Sequence, residues 1–434
     1  MIIKPIPYQT ALLTLCLLFF VFATCKKSTS VGQRQPAPFR PNEVVLVYPS
    51  GLSQDKRESI RKSLLLRYQI RNVETCICDP SIERITAENV HQAITTDTSS
   101  RPASTSTRLG VQGVEMVLSK NVLFQQPIGQ RNRGPVPFDF GKKRGNLRIA
   151  VIDTGIDTTD NQHFSSASFS HFLLPSTAAN YNAVGITDPN RINRSRYFGW
   201  NFFTNNQNIK DDHAQQHGTV VTGLILSQVT ETAPSIIYLK AFDASGSSDL
   251  FTIRCALKFA EKAGAKIINA SWGYDDIEEN DALRDAISSL EKNNILLVAA
   301  AGNNGHNTNT IPHWPGSFSN TTNRGFNNVI TVATATTGGI CLPNSNYSEN
   351  RVDVAIAGRG DNCSFVDVFD ATGQLRETGT SYAAAIMTGV IANQFASDPM
   401  PPPLKTTVLN RVLNGQPDIP SLSGKVRTKK RIVQ

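Results

Sequence analysis

Four short stretches of this chain end in side chains that could act on one another. Asp153 closes the apolar run Ile149-Ala-Val-Ile-Asp153 and is followed by Thr154-Gly155. His217 lies in Asp211-Asp212-His-Ala-Gln-Gln-His217-Gly218-Thr219, just ahead of an apolar helical pattern. Asn303 follows Val298-Ala-Ala-Ala-Gly302 and precedes Asn304-Gly305, and Ser381 sits in Glu377-Thr-Gly379-Thr380-Ser381-Tyr-Ala-Ala-Ala. A hydroxyl is a poor nucleophile until a base removes its proton, an imidazole can be that base, and an amide can donate to a developing oxyanion. Singly, each stretch has a plainer reading: His-Gly-Thr as a helix entry, Ala-Gly-Asn as a strand-end turn, Ser381 as a helix N-cap.

The elements that must hold these residues are legible around them. From Gly145, apolar runs at 147–154, 236–242, 266–272, 295–301, 329–335 and 352–356 alternate with helical patterns at 217–227, 250–263, 282–293 and 381–396. Near-continuous apolar strands separated by helices predict an α/β domain, a doubly wound parallel sheet flanked by helices. Sites in such sheets gather at the carboxyl ends of strands, where Asp153 and Asn303 fall. Ahead of it, 43–48, 72–78, 82–85 and 113–124 read as strands and 53–68 as a helix, a small α+β module. The stretch 92–107 is Ser/Thr-rich and reads as a loop.

Together, and in the order Asp, His, Asn, Ser, the four motifs resemble the subtilisin-like serine proteases, the subtilases, over roughly residues 130–415. The resemblance implies a serine endopeptidase acting on protein or peptide substrates without a cofactor. Ser381 would be the nucleophile, His217 the general base and then acid, and Asp153 the group that fixes the imidazole tautomer. The Asn303 side chain and the Ser381 backbone N–H would form the oxyanion site. It also implies that Ser271-Trp272-Gly273, with Ala300, Ala301 and Gly302, line the pocket for the side chain before the scissile bond. Gly246, in Ala244-Ser-Gly246-Ser247, would belong to the extended substrate edge. No charged residue stands in those segments, so an apolar preference is expected, and Trp272 could equally be core packing.

The chain departs from the family pattern in three places. Val220-Val221-Thr222-Gly223 lacks the second His of many relatives, Ala385 replaces a Pro in the nucleophile helix, and Ala357-Gly358 replaces a Pro-Gly turn. The stretch 223–236 is short, so no calcium or other metal site is carried over. The other chemistries fit less well. An aspartic protease needs a second Asp-Thr-Gly or Asp-Ser-Gly, which is missing, and a zinc hydrolase reading of His213 and His217 puts Ala214 where a general-base Glu belongs. A catalytically silent subtilase-fold binding protein is the remaining alternative.

The module before the catalytic part resembles, more loosely, the family's inhibitory pro-domain, ferredoxin-like in fold; 111–124 matches its closing strand. The resemblance implies that the module inhibits its own catalytic domain, and that the maturation cut falls between Phe124 and Arg133. The expected organisation is a signal peptide at 1–24, the inhibitor-like module at 42–126, the catalytic domain at 130–415 and a basic tail at 416–434. Residues 1–25 read as an export signal ending in Ala23-Thr24-Cys25. Cys25 resembles the lipidated residue of a bacterial lipoprotein, which would make the exported protein either membrane-anchored or secreted.

Charge is divided along the chain. Residues 25–144 hold 19 basic and 10 acidic side chains, residues 145–424 hold 18 and 25, and the last ten add five basic ones, within a total of +8. Two parts of one chain attracting each other fit this better than a nucleic-acid binder; solvated faces without function fit it as well. Without Cys16 and Cys25, five cysteines remain, an odd number. Cys341 and Cys363 bracket a loop and are expected to pair, Cys255 is expected to be a buried thiol, and Cys76 and Cys78 are poorly placed to bond each other.

Overall fold

The computed structural model describes residues 39–49, 51–67, 69–88, 106–108, 115–123, 143–157, 172–188, 197–320, 324–336, 338–340, 345–358, 366–370, 373–377, 379–396 and 405–433. The expectations placed on the export signal, Cys25, Phe124 and the Cys341–Cys363 pair lie outside these residues.

The alternating runs of the first module form an antiparallel sheet. Strand β1 (Phe39–Val47) precedes helix α1 (Gln54–Arg67), then β2 (Ile70–Cys76), β3 (Asp79–Ala87), β4 (Ser106–Arg108) and β5 (Glu115–Leu123), in the spatial order β2-β3-β1-β5-β4. Strand periodicity sorts the side chains between the two faces. Val44, Leu46 and Tyr48 cluster with Ile60 and Leu64 of α1. Val45, Ile82 and Val122 point the other way and join the core of the larger part.

That larger part opens with β6 (Lys143–Asp153), a short helix α2 (Ala178–Ala183) and β7 (Gly199–Asn201). Helix α3 (His217–Ser227), β8 (Thr232–Lys240), the edge segment β9 (Ser247–Asp249), α4 (Leu250–Lys262) and β10 (Ile267–Ala270) follow. Next come β11 (Tyr274–Asp275), α5 (Asp281–Lys292), β12 (Leu296–Ala300), β13 (His313–Trp314), β14 (Val329–Ala335) and β15 (Val354–Ala357). A hairpin of β16 (Val366–Asp370) and β17 (Gly373–Glu377) leads into α6 (Thr380–Gln394), and α7 (Lys405–Val412) and β18 (Arg431–Val433) complete the order.

Eight strands make one sheet in the order β18-β15-β14-β12-β10-β6-β8-β7, and every neighbouring pair is parallel. The chain runs from β6 to β7 and β8 on one side, then crosses to β10 and beyond on the other. The carboxyl end of β6 is therefore the switch point of the sheet. Side-chain alternation again builds two core layers: Ile149 and Val151 face the layer with α3 and α6, while Ala150 and Ile152 face that with α4 and α5. Helices α3 and α6 are buried over most of their length, as their all-round apolar sequences demand.

Two readings of the sequence are corrected. Residues 416–434 are not a free basic tail: they carry the 3₁₀ turn Pro420–Leu422 and strand β18, which pairs with β15 at Ala355↔Arg431 through Ala357↔Val433. Cys255 is not a thiol. It is disulfide-bonded to Cys76, and Cys78 stays free and buried in the turn after β2.

Candidate active site

Asp153 ends β6, buried, with its Oδ1 accepting from the Thr154 N–H at 2.8 Å. The same oxygen is 2.8 Å from Nδ1 of His217, the first residue of α3. That approach requires Gly218. A Cβ there would collide with the Tyr238 hydroxyl, the Gly155 carbonyl and the Asp153 side chain.

The start of α3 is held from outside the helix. Its N-cap, Gln216, makes no side-chain cap hydrogen bond, and the buried carboxylate of Asp211 takes over that task. Asp211 Oδ2 accepts from the Thr219 N–H at 3.0 Å and the Thr219 hydroxyl at 2.7 Å. Its Oδ1 accepts from the Thr154 hydroxyl at 3.0 Å, and Thr154 Oγ1 accepts from the Gly218 N–H at 3.0 Å. Burial pushes the Asp211 carboxyl up to about 6; its Thr219 hydrogen bonds oppose this and the nearby Asp153 charge adds to it. Lys240, at the end of β8, donates to the Thr154 carbonyl and pairs with Asp212 at 2.7 Å.

Ser381 is the second residue of α6, inside the turn whose N–H groups have no acceptor within the helix. Its hydroxyl donates to the Ser271 carbonyl at 2.9 Å, and the Ser271 hydroxyl donates to the Ser381 carbonyl at 2.8 Å. Ser271 in turn accepts from Asn269 Nδ2 at 2.8 Å, and Asn269 Oδ1 accepts from the Thr388 hydroxyl at 3.0 Å. Helix α6 is thus pinned to β10 beside α3. The His217 ring lies 5.6 Å from the ring of Tyr382, the neighbour of Ser381.

Asn303 follows β12. Its Oδ1 accepts from the Thr380 N–H at 2.8 Å and the Thr380 hydroxyl at 2.9 Å, which fixes the amide orientation. Its Nδ2 is consequently turned towards Gly379, where a Cβ would stand 3.4 Å away. Gly379 has φ 151°, a conformation that suits glycine.

The structure brings Asp153, His217, Asn303 and Ser381 to one end of the sheet. Ser271 and Gly273 sit beyond β10, and Ala300 to Gly302 beyond or within β12, as the sequence suggested. Trp272 clusters with apolar core residues, among them Val122 of β5. It is buried in the core, 6.2 Å from Phe242, as its large apolar surface favours. Gly246 forms a turn in which Asp243 Oδ1 accepts from the N–H groups of Ser245 and Ser247, each at 2.9 Å, and the turn presents β9 as an edge.

Two features were not read from sequence. The imidazole of His313 abuts both Gly273 and Gly302, and its Nδ1 is 2.7 Å from Asp275 Oδ1. Although burial alone would raise it, the His313 hydrogen bond and charge hold the Asp275 carboxyl below the ordinary range. A titratable pair therefore borders the segments expected to be uncharged. The signal was weak because His313 follows Asp275 by 38 residues and only the β11–β13 pairing joins them. The second feature is the partner of β5: this strand, itself read from sequence, pairs antiparallel with β9 at Asn121↔Asp249, Val122↔Ser248 and Leu123↔Ser247. Among the described residues, no group of three or more His, Cys, Asp or Glu is arranged to hold a metal ion.

Comparison with known proteins places the chain in a family. A sequence profile described as the Subtilase family (Peptidase_S8) matches residues 144–414, well over half of the chain. The chain belongs to the subtilase family. This subtilase is 26% identical over 281 residues to the Minor extracellular protease Epr of Bacillus subtilis (strain 168), covering 62% of this chain and 36% of that protein. It is 27% identical over 199 residues to Thermitase of Thermoactinomyces vulgaris, covering 44% of this chain and 58% of that protein. Each match spans less than two thirds of the relative. A cold adapted subtilisin-like serine proteinase of known structure aligns with TM-score 0.45 at 18% identity, over 69% of this chain and 95% of that one.

Proposed function

We propose that this subtilase is a serine endopeptidase that hydrolyses peptide bonds through Asp153, His217 and Ser381. The observation that carries the reading is the 2.8 Å Asp153–His217 hydrogen bond at the mouth of α3, beside Ser381 at the mouth of α6. His217 Nδ1–H donates to Asp153, so Nε2 is left as the base that takes the Ser381 proton. The alkoxide attacks the scissile carbonyl, whose oxygen becomes negative beside Asn303 Nδ2 and the Ser381 N–H. The imidazolium then protonates the leaving amine, and water, deprotonated by the same nitrogen, hydrolyses the acyl-enzyme.

Substrate would bind as an extended strand along β9, with the side chain before the scissile bond between Ser271–Gly273 and Ala300–Gly302, against His313. The module formed by β1 to β5 acts on this reading as an intramolecular inhibitor. Its support is β5, which occupies the β9 edge that a substrate strand would use. Export of the chain, with a signal at 1–24 and lipid on Cys25, is the accompanying proposal, and a relative named as an extracellular protease fits it.

Labelling with a fluorophosphonate tests the chemistry. The wild-type enzyme should be labelled at Ser381, and Ser381→Ala should lose both label and peptidase activity while unfolding at the same temperature. Full activity in Ser381→Ala would refute the mechanism.

A further inference from the structure

We propose that the Cys76–Cys255 disulfide holds the N-terminal module on the catalytic part after the chain between them is cut, so that reduction, and not the cut alone, frees the cleft. This rests on the reading that the module blocks the cleft and that the chain is cut between Phe124 and Arg133.

Cys76 closes β2 in the module, and Cys255 lies in the middle of α4, the helix on which the module packs. Their Cα atoms are 5.7 Å apart, within the usual disulfide range of about 4.4–6.8 Å. The bonded residues are 179 apart in sequence and bracket the expected cut, so cleavage leaves the bond as a covalent link between the pieces. The other contacts are separable. They include the packing of Val45, Ile82 and Val122 into the catalytic core, three β5–β9 residue pairs, Arg40 and Arg84 on Asp249, Lys120 on Asp276, and Lys262 Nζ donating to the Cys78 carbonyl at 2.6 Å. Alone, being noncovalent, they would release a cleaved module once dilution takes it below their dissociation constant. With the bond, its return is intramolecular, at an effective concentration on the order of mM.

Opening the bond needs a dithiol reductant. One thiolate attacks the sulfur of Cys76 or Cys255, and a mixed disulfide forms as the other cysteine departs as a thiolate and takes up a proton. The second thiol of the reductant then displaces the remaining cysteine, so the reductant ends as a disulfide and two electrons have passed to the protein. Cys78 is the internal rival, its sulfur 3.7 Å from that of Cys76. Burial pushes its thiol up to about 12, so it stays protonated at neutral pH and is a poor attacker.

The test uses the full chain with Ser381→Ala, which cannot cut itself on the reading above, and a recognition sequence for an added protease placed between Phe124 and Arg133. After cleavage, denaturing mass analysis without reductant should find the two pieces as one species, and dithiothreitol should separate them. Cys255→Ser, or Cys76→Ser if that variant does not fold, should separate without reductant. In the same chain with Ser381 intact, peptidase activity per molecule should not change on about 100-fold dilution while oxidised, and should rise with dilution after reduction. Pieces that separate without reductant, or full activity with the bond intact, would overturn the proposal, as would a Cys76–Cys78 bond found in released module. If Ser381 fails to react with a fluorophosphonate, the endopeptidase reading fails, and the mass measurement still decides the tether.

Discussion

At the scale of single residues, Asp211 shows how much of the site depends on a group that does no chemistry. It caps α3 in place of Gln216 and holds Thr154 and Thr219, the neighbours of Asp153 and Gly218. Its carboxyl, raised from 3.8 to about 6, keeps its proton in the folded chain at pH values where the unfolded chain has lost it. The folded state therefore binds more protons between about pH 4 and 6, and stability falls as pH rises through that window. The loss is up to about 3 kcal/mol at 1.36 kcal/mol per pKa unit. Asp211→Asn has no proton to lose. The difference in unfolding free energy between wild type and Asp211→Asn should favour wild type most near pH 4, decline to pH 6 and be flat above. A difference independent of pH would show that the carboxylate is fully stabilised by its donors. The residues proposed to react stood out because short motifs keep them beside glycines and strand ends. The roles of Asp211 and His313 did not, because Thr154 and Asp275 stand 57 and 38 residues from them in the chain and meet them only after folding.

Elements sorted themselves by length and periodicity. Helix α3 and strand β14 run as the sequence suggested, since each has a long apolar pattern and an abrupt polar boundary. Strands β7 and β18 were missed, because three residues carry no measurable period and Arg431 looks like part of a charged end. The close crossing of α3 over β6 was legible only as a glycine after a histidine. Gly218→Ala should test it directly. A methyl at that position has no room beside Tyr238 and Gly155, and overpacking of this kind costs about 1–3 kcal/mol. The helix mouth must also shift, so peptidase turnover should fall by more than the loss of folded protein explains. Unchanged turnover, measured per folded molecule, would mean that the Asp153–His217 distance tolerates the shift.

For the whole molecule, the division of charge has a counterpart at the interface. Arg40 and Arg84 of the module converge on Asp249, and Lys120 on Asp276. If the remaining charge also steers docking, then in cleaved and reduced protein the rate at which the module returns should fall steeply with salt. The Debye length shortens from about 8 Å at physiological strength to about 3 Å at 1 M. Stopped-flow recovery of inhibition at several salt concentrations measures this, and a flat rate would make the asymmetry incidental. The sequence offered attraction between its two parts as one of two readings of the charge, and it could not foretell which cysteines would meet. Pairing depends on the face of β2 that lands on α4, which spacing along the chain does not encode.

If the module is released as proposed, the splice of β5 onto β9 has a consequence for the enzyme left behind. The backbone groups of Ser247 to Asp249 then form an open rim, ready to pair with any extended stretch of polypeptide. In a concentrated stock, the nearest such stretch belongs to a second copy of the enzyme. Loss of released enzyme through self-digestion should therefore be second order in protein, with a half-life that shortens in proportion as concentration rises. The form with β5 in place, assayed only after its module is released, should lose recoverable activity at a rate independent of its concentration. Storage time courses at several dilutions, followed by active-site titration, distinguish the two orders, and first-order loss of the released enzyme would mean that this rim is not where copies attack one another.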